Sequence, residues 1–171
     1  MTTTVTVILT IIAIILGPIL SVQISQYLDR KRWDKERKLK VFKDLMSTRS
    51  ANLSFQHIQG LNMIDVEFDP KVRLERDVVS AWKFYLAHLQ DTNYPKETWE
   101  SRRVDLLIDL LHIMAKSLDY NFDKAHIKNA SYYPRSYGDL EDDQYVIRKG
   151  TIELLQGKRS MPIHIIDKPE S

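Results

Sequence analysis

The chain has 171 residues, a net charge of +2, no cysteine and five glycines. Without cysteine there is neither a disulfide framework nor a thiol nucleophile, and so few glycines leave little material for a phosphate-cradling loop. The small net charge hides a local excess: Arg30, Lys31, Arg32, Lys35, Arg37, Lys38, Lys40 and Lys43 lie close together, with Asp34 and Glu36 among them. The remainder of the chain is therefore net acidic, which argues against a general nucleic-acid binder.

Val5 to Val22, extended by Ile24, carries no charged side chain. A helix of about 17–25 apolar residues spans a bilayer, so this stretch is expected to be a transmembrane anchor. Gly17-Pro18 suits a membrane span, where neighbouring groups satisfy the carbonyl that proline frees. A cleaved signal peptide would want a basic leader, and Met1-Thr2-Thr3-Thr4 offers none. Basic residues follow the span, so the positive-inside rule puts the N-terminus outside and the following domain in the cytoplasm, at the inner membrane in a bacterium. The expected boundaries are an anchor over 1–24, a basic helical stalk over 25–38, a cytoplasmic helical domain over 39–157 and an extended tail over 158–171. Arg30, Lys31, Arg32, Lys35 and Lys38 are then the headgroup contacts, each contributing roughly 1 kcal/mol against anionic lipid. Tyr27 and Trp33 would lie at the interface.

Helical apolar spacing begins at Leu39, Phe42, Leu45 and Met46. A second helix is expected over 51–64, burying Leu53, Ile58, Leu61 and Ile64; Gly60 inside it makes sense only where a neighbouring helix approaches closely. Asp69-Pro70 reads as a helix start, and Val72, Val79, Trp82, Leu86 and Leu89, widened by Val78 and Tyr85, form its buried face as far as about Gln90. After the turn Asp91–Pro95, residues 96–119 carry a broad stripe of Val104, Leu107, Ile108, Leu111, Met114, Ala115 and Leu118, the pattern of a bundle's central helix. Residues 120–138 read as irregular. Asp139 opens a last helix to about Gln156, with Leu140, Ile147, Ile152 and Leu155 inward and Gly157 as its stop; Met161 to Ile166 read as extended. The fold class is all-α: a transmembrane helix continuing into a stalk, then an antiparallel bundle of four or five helices.

Three groups of residues invite chemistry. Asp105, Asp109 and His112 share one helical face at i, i+4 and i+7, and Asp-x-x-His is the step that carboxylate-bridged metal sites use in bundle cores. This makes a metal-dependent enzyme, such as a hydrolase, the alternative function, with a solvated polar face as the ordinary explanation. Asp123 and His126 repeat the spacing. Tyr132, Tyr133, Arg135 and Tyr137 close an aromatic and basic stretch of the kind that dominates protein interfaces, and Arg49 and Asn62 are polar residues near helix junctions. With them goes the leading expectation: a non-enzymatic module, without a cofactor, that binds a protein partner or copies of itself at the membrane. A nucleic-acid tether through the basic stalk is a third reading. The acidic run Asp139, Glu141, Asp142 and Asp143 suits a helix start, and also the basic stalk of a second copy.

Leu16-Gly17-Pro18, Leu45-Met46-Ser47-Thr48-Arg49, Leu61-Asn62-Met63-Ile64-Asp65 with Phe68, and Tyr132-Tyr133-Pro134 appear here in that order. In this the chain resembles an uncharacterised family of small bacterial and phage-borne proteins with one N-terminal membrane segment. The resemblance implies a membrane location and a helical cytoplasmic domain. It implies no activity.

Overall fold

The computed structural model describes residues 2–161, with side chains at residue 3 and from residue 14 onward. Among the described residues there are six helices and no strand: α1 (Thr2–Ser47), α2 (Phe55–Glu67), α3 (Arg73–Gln90), α4 (Lys96–Ser117), α5 (Lys124–Asn129) and α6 (Arg135–Leu155). The chain divides into two compact units, 1–131 and 132–171. The single domain expected over 39–157 is thus split, and α6 belongs to the second unit. The extended stretch expected at 161–166 lies outside the described residues from 162 on.

The anchor and stalk expected as neighbouring segments are parts of one unbroken helix. α1 runs through Pro18 without a break. From residue 14 to residue 33 every side chain is exposed, including Ile14, Ile15, Leu16, Ile19, Leu20, Val22 and Ile24. Among the described residues no helix is long and apolar enough to cross a membrane; the first half of the expected span, 5–13, lies outside the residues with described side chains. Burial begins at Lys38 and continues through Val41, Phe42 and Leu45.

The core of the first unit joins these residues to Leu61 and Ile64 of α2, Val78, Val79, Trp82 and Tyr85 of α3, the stripe of α4, and Ile127 of α5. Two of the expected α2 core residues are corrected. Leu53 and Ile58 are exposed, and His57 and Gly60 are buried instead. A helix has room for one apolar stripe on the core, and here it follows 57, 60, 61 and 64. Gly60 is the place of close approach: a Cβ there would lie 3.0 Å from the Leu45 side chain, so its absence lets α1 and α2 pack.

α3 begins three residues after the expected start. Asp69 Oδ1 accepts the Lys71 N–H at 2.9 Å and the Val72 N–H bonds to the Asp69 carbonyl at 3.0 Å, so Asp69-Pro70 forms a turn ahead of the helix. α4 ends at a left-handed residue, Asp119 (φ 67°). The Tyr120 N–H reaches the Ala115 carbonyl at 2.8 Å and the Asp119 N–H the Lys116 carbonyl at 3.3 Å, a Schellman termination made without glycine. In the second unit, α6 buries none of its residues. Leu140, Ile147, Ile152 and Leu155, expected inward, are exposed.

Candidate functional site

The helix face offered as the alternative metal site is occupied by its own neighbour. Asp109 pairs with Lys124 at 2.6 Å and Asp105 with Lys128 at 3.3 Å, while His112 Nδ1 lies 2.8 Å from the Phe122 carbonyl. Lys124 and Lys128 are one turn apart on α5, as Asp109 and Asp105 are on α4, so the two rows interlock like a short ladder. Asp123 caps α5 by accepting the His126 N–H at 2.6 Å, and the His126 ring stacks on Phe122 at 5.5 Å. Both Asp-x-x-His steps thus make contacts within the fold, as the polar-face explanation has it. Among the described residues no group of three His, Asp or Glu side chains is gathered to hold a metal.

Arg49 is likewise tied into the fold. Its guanidinium donates to the carbonyls of Ile127 (2.9 Å), Ala130 (2.6 Å) and Met46, closing the end of α5 onto the end of α1. Asn62 is exposed. In the second unit Tyr132 is almost fully exposed and Tyr137 half exposed, Arg135 is exposed, and Tyr133 donates to Glu141 at 2.6 Å. That bond pushes the Tyr133 hydroxyl pKa up to about 12. Tyr120 and Phe122, the other end of the aromatic stretch, stack on Phe42.

The basic run divides. Arg30, Lys31 and Arg32 stay exposed, and Lys31 Nζ lies 4.8 Å above the Tyr27 ring. Lys35 reaches Asp119 at 2.9 Å and Arg37 reaches Glu67 at 2.9 Å. Lys38 is buried, paired with Asp34 and, at 2.8 Å, with Glu75. Burial acts to lower its pKa, but the two carboxylates prevail and the pKa ends raised. Glu75 also accepts the Asp69 N–H at 2.8 Å. Lys38 is thus a bracket between α1 and α3, not the headgroup contact expected of it, because its side chain enters the domain where α1 begins to pack.

A polar cluster that the sequence reading left unconnected lies inside the first unit. Thr48 Oγ1 donates to the Asp44 carbonyl at 2.6 Å, so the 2.9 Å contact with His57 Nδ1 is a bond donated by the imidazole. This fixes the tautomer and leaves Nε2 as an acceptor, buried and without a partner. Burial and the positive charge of Arg103 push the His57 pKa down to about 4. Arg103 is itself buried and forks onto Glu100, with Nε at 2.8 Å. That hydrogen bond holds its pKa up, and its Nη1 has no partner. An orphan acceptor and an orphan donor in one buried region suit an ordered water. The only signal for this in the sequence is spacing: His57 precedes Leu61 and Ile64 by four and seven residues.

A hollow of about 640 Å³ on the first unit runs along the α3–α4 hairpin. Leu74, Ala81, Phe84, Leu106 and Ile113 line it, with Asp77, Arg102, Asp109 and Lys116 among the charged residues around them.

No curated protein and no solved structure matches the chain. The match that was found spans it from end to end, residues 1–171, and is to a family of unknown function, DUF6680. The chain belongs to that family.

Proposed function

We propose that this protein is a single-pass membrane-anchored module whose helical domain, held at the cytoplasmic face, works by binding protein rather than by catalysis. One observation carries the reading. Between Ile14 and Ile24 the apolar side chains of α1 point in every direction and all are exposed. A helix that docks in a groove needs one apolar stripe; a helix apolar on all sides needs an apolar solvent. Joined to 5–13 in sequence, this segment reaches the length of a bilayer span. Arg30, Lys31 and Arg32 then stand about two turns beyond its end, at headgroup height on the cytoplasmic side.

Two arms of one experiment test this. Alkaline carbonate washing of membranes from a bacterium expressing the full chain should leave the protein in the pellet. Because the chain has no cysteine, Thr3→Cys and Lys96→Cys report topology cleanly: a membrane-impermeant maleimide should label the first in intact spheroplasts and the second only after lysis. Release by carbonate, or labelling of Lys96→Cys in intact spheroplasts, would overturn the assignment.

A further inference from the structure

α6 exposes a seam with the spacing of a coiled coil, apolar at every d position. Tyr137, Leu140, Gln144, Ile147, Thr151 and Leu154 follow one another at intervals of three and four, so they alternate as a and d positions of a heptad. Every d position is a large aliphatic residue, and Leu140, Ile147 and Leu154 are 51%, 68% and 36% exposed. We propose that α6 is a dimerisation helix that pairs in parallel with α6 of a second copy. This names the partner within the binding reading above and rests on it.

Charge selects the occupant. With Tyr137 at a, Asp143 falls at g and Arg148 at the following e. In a parallel dimer each g residue meets the next e residue of the partner helix, so Asp143 of each copy meets Arg148 of the other, twice by symmetry. An antiparallel pair would set g against g and lose this match. Gln144 at a is polar, and its side chain can hydrogen-bond across a two-stranded parallel seam, a device that fixes register, while the Thr151 hydroxyl is satisfied within its own helix by the Ile147 carbonyl at 2.8 Å. A bilayer surface fits less well. Asp139, Glu141, Asp142, Asp143 and Glu153 outnumber Arg135, Arg148 and Lys149 on this helix, and anionic lipid would repel it. Three heptads form a weak zipper alone. Anchoring both chains in one membrane raises their effective concentration and gives them the same orientation, which suits a parallel pair.

Single cysteines in the full-length chain read the geometry. In membranes under mild oxidation, Leu140→Cys and Leu154→Cys should each form disulfide-linked dimers with themselves, which only a parallel, in-register pair allows at both ends. Asp142→Cys, on the outward face of the same turn, should not. Asp143→Arg in the Leu140→Cys background should lower the cross-linked yield about fivefold, and adding Arg148→Asp should restore it. The proposal is overturned if Leu140→Cys cross-links no better than Asp142→Cys, or if the charge swap fails to rescue. Repeating the cross-linking on protein in neutral detergent separates this from the anchor: dimers there, together with release by carbonate, would keep the α6 pairing and sink the membrane reading alone.

Discussion

Between Ile14 and Ile24, α1 carries apolar side chains on all sides and buries none of them; between Lys38 and Leu45, the same helix turns one face to a core and keeps charge on the other. Backbone geometry is alike at the two ends, so neither helix propensity nor capping accounts for the difference. What differs is the arrangement of apolar residues around the axis. A consecutive run offers no single face to a neighbouring helix, whereas Val41, Phe42 and Leu45 at helical spacing pack against α2 and α4. The lesson is that one unbroken helix can pack at one end and stay open at the other, and that the residue where packing begins has to bring partners for its charge. Lys38 does so with Asp34 and Glu75.

Removing side chains from the two ends should therefore have unequal effects. Leu45 is fully buried against Gly60, and Leu45→Ala is expected to cost about 2–5 kcal/mol in urea unfolding of the detergent-solubilised chain. Leu20→Ala should change that value by less than about 0.5 kcal/mol. Comparable losses at both positions would mean that the apolar end packs on protein after all.

The buried polar cluster sharpens the contrast through pH. His57 has an ordinary pKa of 6.5 when unfolded and about 4 when folded. The unfolded chain therefore binds the extra proton between those values, and the folded state loses stability as pH falls from 6.5 to 4. Full protonation of the unfolded side makes this about 3 kcal/mol. Urea midpoints for His57→Gln should lack that portion of the acid slope while the carboxylate contributions remain.

The Lys38 bracket comes next. Glu75→Gln leaves the buried ammonium with Asp34 alone, and should lower stability by about 1–3 kcal/mol. A double-mutant cycle with Lys38→Met should recover part of that loss, because the second change removes the charge that the first left underpaired. Smallest is the outer ladder: Lys128 and Asp105 are each more than half exposed, so Asp105→Asn should cost less than about 1 kcal/mol and be silent in high salt. A larger loss that is reversed by added divalent cation would revive the metal reading.

How far each element could be read depended on how long its pattern ran. α4 was legible almost in full, since its apolar stripe repeats over about four turns and nothing local competes with it. α5 was not, because six residues cannot display a period; only the Asp123 cap marks it. That one omission misdirected the site assignment. With α5 missing, Asp105, Asp109 and His112 looked like an open polar face, and their partners Lys124, Lys128 and the Phe122 carbonyl were assigned to an irregular stretch. Arg49 was singled out for being polar near a junction, and the junction is what it holds together. His57 reads only as a lone histidine, structural or surface, until its spacing with Leu61 and Ile64 is counted. On α6 the apolar positions were found but assigned to the interior, since periodicity says that a helix has an apolar face and not what covers it.

A helix without a break also transmits angle. Residues 25–37 separate the end of the apolar segment from Lys38, the first buried residue of α1, by about 20 Å along the axis at 1.5 Å per residue, and through them any turn of the apolar segment about its axis becomes an equal turn of the domain. One residue inserted between Arg30 and Trp33 would move the domain outward by only about 1.5 Å but swing it by about 100°, whereas eighteen would raise it by about 27 Å and leave its heading unchanged. The length of this segment thus sets a compass bearing as well as a height.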